Sequence, residues 1–156
     1  MTLASLLTPD RVLASMEATE HWPAIVELVD QLVATGNYPE TGRETILASL
    51  HDREEQRSTG IGGGIAIPHA FSDDIEEVTA IFGRSAGGID FGAIDNAAVH
   101  YIVLFLVPRE QYTLHLRTLA AIAKILNNGN VRNQLAEAAD ITEILDVLAL
   151  KTTPRV

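Results

Sequence analysis

Three side chains in this sequence have the type and setting for chemistry: His69, Arg53 and His115. His69 ends the run Gly60-Ile61-Gly62-Gly63-Gly64-Ile65-Ala66-Ile67-Pro68-His69. The glycines open backbone conformations closed to other residues and let another molecule approach the main chain through free N–H groups. Ile65-Ala66-Ile67 is a short apolar run, as expected of a strand buried on both faces. Pro68 cannot donate to a ladder, so pairing is expected to end there. His69 then stands at the carboxyl end of a strand, where open α/β sheets bind ligands. A histidine nucleophile on a rigid support points to group transfer.

Arg53 lies sixteen residues upstream, in Asp52-Arg53-Glu54-Glu55-Gln56-Arg57-Ser58-Thr59. Its planar fork suits a phosphate. The plain alternative is a helix-terminal arginine paired with Asp52, Glu54 or Glu55. His115 falls near the start of a predicted helix, just past the strand that Pro108 ends. Its alternative is a surface position on an amphipathic helix. His21, His51 and His100 read as structural or surface residues. The triple glycine is not a nucleotide loop, because no Gly-Lys-Ser/Thr follows and no Gly-x-Gly-x-x-Gly opens a helix. A zinc site from His69, His115 and a carboxylate lacks metal-ligand spacing. No metal and no cofactor are expected.

Composition narrows the class. The chain has 156 residues, and residues 1–156 are expected to form one domain. A chain of this length buries roughly 68–70% of its unfolded surface and needs no covalent staple. It contains no cysteine, so disulfides, thiolate catalysis and cysteine metal sites are excluded. Twenty-one acidic residues against 11 basic ones give a net charge of −10. Such a surface repels phosphate backbones, so no nucleic-acid partner is expected. The amino terminus lacks the pattern of a signal peptide, and no apolar run is long enough to span a bilayer. These features fit a cytoplasmic protein without membrane insertion.

The elements that must position these residues can be placed from periodicity. Arg11–Met16 reads as an edge strand. Thr19 reads as the N-cap of a helix that Gly36 stops, with Ile25, Leu28, Val29, Leu32 and Val33 at helical spacing. A second helix is expected over Thr41–Asp52, with Ile46, Leu47 and Leu50 inward. Val78–Phe82 and His100–Val107 read as strands, with a turn at Ala86-Gly87-Gly88-Ile89-Asp90. A long helix follows over Gln111–Asn127, ended by Asn128-Gly129. Helices over Val131–Ala138 and Ile141–Leu150 close the chain, the last capped by Asp140 and Glu143. Helices and apolar strands alternate, which predicts an α/β fold: a mixed β-sheet flanked by helices on both faces.

The blocks Arg53-Glu54, Ser58-Thr59-Gly60-Ile61-Gly62 and Gly64-Ile65-Ala66-Ile67-Pro68-His69 resemble a known family. It is the fructose/mannitol-type enzyme IIA of the bacterial phosphoenolpyruvate:sugar phosphotransferase system, and in particular its nitrogen-regulatory branch. The likeness continues through Ile89-Asp90-Phe91, Ala93-Ile94-Asp95-Asn96, Val107-Pro108 and His115-Leu116. The resemblance implies a phosphotransferase. His69 would accept a phosphoryl group on Nε2 from the phosphocarrier HPr, with Arg53 and His115 beside it. Ser58 and Thr59 would touch phosphate or shape the turn, and Gly62, Gly63 and Gly64 would supply backbone N–H groups. The receiver would be a cysteine of a sugar-specific enzyme IIB or a regulatory target protein. A phosphate-incompetent interaction module on the same fold is the competing reading.

Overall fold

Val99–Pro108 is an apolar run broken only by His100, and it forms the central strand, β6. The computed structural model that shows this describes residues 6–56, 60–92 and 95–152, and of residues 61, 112–116 and 150–152 the backbone alone. β6 has neighbours on both edges, so both of its faces are covered. Tyr101, Val103, Phe105 and Val107 enter one apolar cluster, while Ile102, Leu104 and Leu106 enter another on the opposite face. The two-residue period of a strand makes this split.

β5 (Thr79–Ile89) runs antiparallel along one edge of β6. β3 (Ile65–Ala66) and β4 (His69–Ser72) run parallel along the other. β1 (Val12–Leu13) adds parallel to β5, and β2 (Gly60–Gly62) adds antiparallel to β3. The result is a mixed six-stranded sheet of order β1-β5-β6-β3-β2, with β4 paired to β6 beyond β3. On one face, α1 (His21–Ala34) and α2 (Arg43–Gln56) contribute Ile25, Leu28, Leu32, Ile46 and Leu50. On the other, α3 (Tyr112–Leu126), α4 (Gly129–Glu137) and α5 (Ile141–Thr152) contribute Ile122, Leu126, Val131, Leu135, Ile144 and Leu148. The expected α/β sandwich with helices on both faces is what forms.

Several boundaries differ from expectation, each for a local reason. Glu20, not Thr19, caps α1, because the Thr19 carbonyl accepts the Asp90 N–H and Glu20 bridges to Asp90. The segment therefore stays extended for one more residue. Ala86–Ile89 belongs to β5 rather than to a turn. The register steps from Arg84↔Tyr101 to Ile89↔Val99, a bulge in which Gly88 has φ +89 and donates its N–H to Ser85 Oγ. Glycine here bends a strand without ending it. Asn128-Gly129 opens a helix: the Asn128 side chain accepts the N–H groups of Asn130 and Val131 and caps α4. At α5 the expected capping is present. Asp140 accepts the Glu143 N–H at 2.9 Å, and Glu143 reaches back to the Ala139 N–H.

Arg84 ties the α4 side to the sheet. Its guanidinium donates to Ala14 O at 2.8 Å, Leu135 O at 2.8 Å and Ala138 O at 2.6 Å. The last two are carbonyls at the carboxyl end of α4, where a cation is favoured. Arg84→Ala removes three charge-assisted bonds and is expected to cost about 2–4 kcal/mol in denaturant unfolding. An unchanged unfolding midpoint would contradict that assignment.

Candidate functional site

β3 and β4 follow β6 in one register, Ile65↔Tyr101 and His69↔Phe105, so they are two parts of one interrupted strand. Pairing does not end at Pro68 as expected. It lapses over Ile67-Pro68 and resumes at His69. Proline lacks only the donor, and the Pro68 carbonyl still accepts the Phe105 N–H at 2.9 Å. His69 is thus the first residue of β4. Its Nδ1 lies 3.0 Å from the Ile67 carbonyl oxygen. A carbonyl oxygen only accepts, so Nδ1 carries the proton and donates it. The lone pair of the neutral ring is then on Nε2. The interruption before β4 fixes both the ring and its tautomer.

His69 is half-buried and lines a cleft of about 410 Å³. Ser49, Asp52, Arg53 and Gln56 form one wall, spaced to share a face of α2. Ala70, Phe71 and Arg109 complete it. Among the described residues, the Arg53 side chain takes no hydrogen bond and no ion pair. Its sequence neighbours are engaged elsewhere. Glu54, with a side chain only 5% exposed, meets His21 Nε2 at 2.7 Å, and Glu55 meets His51 at 3.5 Å. The His21 ring lies on Phe91 with centroids 3.9 Å apart. Glu54 therefore clamps α2 to α1, and Arg53, one residue earlier, lines the cleft. The pairing alternative for Arg53 is not what the chain adopts. The arrangement sets an imidazole lone pair and a guanidinium without a partner in one cleft, as a transferable anion requires.

The chain matches a protein-family model over residues 5–151, the phosphoenolpyruvate-dependent sugar phosphotransferase system EIIA 2 family. It belongs to that family. A fructose-specific EIIA component of the phosphotransferase system from Haloferax volcanii is 35% identical to this chain over 150 residues, covering 96% of each. A nitrogen regulatory protein of Pseudomonas aeruginosa is 36% identical over 137 residues, covering 87% of each. The crystal structure of nitrogen regulatory protein IIA-Ntr from Neisseria meningitidis has the same fold, with a TM-score of 0.84 at 25% identity, covering 94% of this chain and 98% of that one. The chain is accordingly an EIIA component of a phosphoryl-transfer system. Among the described residues, no helix is long and apolar enough to cross a membrane.

The remaining predicted site residues of this EIIA protein are placed unequally. Ser58 and Thr59 lie outside the described residues, as does the side chain of His115. The backbone of His115 is in α3, which starts four residues after Pro108, and Pro108 pairs with Ser72 of β4. Gly62, Gly63 and Gly64 do not line the cleft. They make the hairpin between β2 and β3, with φ of +91, +67 and +82. Positive φ at both central residues, Gly63 and Gly64, matches the twist of the strands. The Gly63 N–H donates to Asp95 Oδ2 at 3.1 Å. Gly64 accepts from Tyr101 while His69 faces Phe105. Four residues along β6 put the turn roughly 13 Å from His69. As potential metal ligands, only His51, Asp52 and Glu55 come together among the described residues, all exposed on α2, and His69 is not with them.

Arg109, which the sequence analysis did not single out, lines the same cleft. The signal was present: it follows the proline that ends β6, at the carboxyl end of a strand parallel to β4. Asp95 also gains a role. Bonds from the Ala97 and Gly63 N–H groups hold its carboxyl below the usual carboxylate value of 3.8. A depressed folded pKa stabilises above the unfolded value, and that gain is lost as pH falls through 3.8 toward the folded pKa. Asp95→Asn is therefore expected to reduce stability at pH 7 and to flatten the acid limb of thermal unfolding between about pH 5 and 3. Identical acid limbs in the two proteins would show that the hairpin does not rely on this carboxylate.

Proposed function

We propose that this EIIA protein carries a phosphoryl group on Nε2 of His69, accepted from phospho-HPr. The observation that carries the reading is the Nδ1–H bond to the Ile67 carbonyl, which leaves the Nε2 lone pair as the nucleophile. In the transfer, that lone pair forms the new N–P bond while the donor's P–N bond breaks and returns its electron pair to the donor histidine. The acceptor ring keeps its Nδ1 proton and takes on positive charge, which the Ile67 carbonyl steadies. The transition state is loose and in-line, with charge spread over three oxygens, so the protein contributes mainly position and countercharge. Arg53 supplies the countercharge from α2. His115, from the first turns of α3, donates a further hydrogen bond to the phosphoryl group, and Ser58 and Thr59, between α2 and β2 in the sequence, support it. Exchange between two histidines is close to thermoneutral, so no nucleotide is required to drive it.

Residues 1–156 act as one cytoplasmic domain in this reading. The receiver is a cysteine of a sugar-specific enzyme IIB, or the phosphorylation state is read directly by a regulatory target. Relatives of both kinds, fructose-specific and nitrogen-regulatory, stand at similar identity. Incubation with phosphoenolpyruvate, enzyme I and HPr is expected to add one phosphoryl group, labile in acid and stable in base, by intact-mass spectrometry. A chain that stays unmodified beside a fully phosphorylated HPr would instead be an interaction module on the same fold.

A further inference from the structure

We propose that Arg109 is a second phosphoryl-binding guanidinium of the His69 cleft, exchanging its contact with Asp73 for the phosphoryl oxygens. The inference rests on the phosphohistidine reading above and assigns to that site a residue outside the His69, Arg53 and His115 set. His69 and Phe71 stand two residues apart on β4 and so share a face. The Arg109 guanidinium carbon lies over the Phe71 ring, 5.8 Å from its centroid. Arg109 follows β6 directly and lines the same cleft as Arg53. Its Nε meets Asp73 Oδ1 at 3.3 Å, with the two side chains 64% and 77% exposed. An ion pair that open to solvent contributes little, so exchanging it for a phosphoryl group is easy.

Charge makes the second cation necessary. Asp52 lines the cleft beside Arg53, and the chain as a whole is at −10. Asp52 puts one negative charge in the same lining as Arg53, though the two do not pair. A phosphoryl group then adds up to two negative charges. Arg109 is the other cation among the residues lining the cleft, and a planar fork resting on an aromatic ring is already oriented for bidentate contact.

The test uses phosphoramidate, a small donor with no protein surface. Nε2 of His69 attacks its phosphorus, the P–N bond breaks, and ammonia leaves with the electron pair. The rate of His69 labelling is read by intact mass for wild type, Arg109→Ala, Arg109→Lys and Asp73→Asn, with melting temperatures as the fold control. Arg109→Ala is expected to be roughly 5–20-fold slower, and Arg109→Lys intermediate because it keeps charge without the fork. Asp73→Asn should be at least as fast as wild type, since it frees the guanidinium. Wild-type rates in both Arg109 variants would overturn the proposal. So would a defect seen with phospho-HPr and absent with phosphoramidate, which would place Arg109 in partner docking. If wild type itself is labelled by neither donor, the His69 reading fails and this one with it.

Discussion

His69→Ala is expected to take up no phosphoryl group from phospho-HPr, a loss down to background. The other described histidines offer no substitute. His21 Nε2 is held by Glu54, His51 pairs with Glu55 on the outer surface of α2, and His100 donates Nδ1–H to Ser85 O at 2.8 Å. None of them lines the cleft with Arg53. The variant should still fold. The His69 ring is half-buried, and its one described hydrogen bond is local, to Ile67, a contribution of about 0.5–1.5 kcal/mol. Intact mass and thermal unfolding together check both statements. Wild-type labelling in a folded His69→Ala protein would move the phosphate elsewhere.

Arg53→Lys is expected to slow transfer by about 1–3 kcal/mol in activation free energy, roughly 5–150-fold. Lysine keeps the charge but loses the two-pronged donor. Because Arg53 has no partner among the described residues, the substitution breaks no described contact. Thermal unfolding should therefore stay within about 0.5 kcal/mol of wild type, as for surface changes generally. This separation matters because Glu54, next in sequence, is structural: buried, paired with His21, and set between two helices. A single-turnover assay with phospho-HPr, alongside a melt, distinguishes the roles. A normal rate, or a large loss of stability, would make Arg53 a structural residue.

The parts of the fold legible in the sequence were those governed by long apolar periodicity. β6 and the inward faces of α1 and α2 follow from spacing alone, because a strand or helix of eight or more residues repeats its signal several times. Errors fell where one residue type serves two local purposes. Gly87-Gly88 reads as a turn, yet a bulge uses the positive φ of Gly88. Asn128 reads as a helix end, and α3 does stop before it, but its side chain also starts the next helix. Pro68 reads as a strand end, yet a parallel neighbour needs only its carbonyl.

The site was legible in a similar, partial way. His69 and Arg53, singled out sixteen residues apart in the sequence, come together in one cleft. The tautomer of His69 was not readable, since it depends on the path of the backbone through Ile67 and Pro68. The glycine run forms the β2–β3 hairpin and not the cleft lining, because sequence proximity to His69 does not reveal that an intervening strand carries the turn away. The Arg109–Phe71 contact and the Glu54–His21 clamp were missed because they form across elements 30 or more residues apart, which no local pattern records.

The most direct measurement is the position of phosphorus on the histidine ring. The protein is produced with ring-¹⁵N histidine, phosphorylated through phosphoenolpyruvate, enzyme I and HPr, and examined for one-bond ¹⁵N–³¹P coupling. The account predicts a single coupled nitrogen, Nε2 of His69, with the proton retained on Nδ1 and donated to the Ile67 carbonyl. Coupling to Nδ1 of His69, or to a nitrogen of any other histidine, would contradict it.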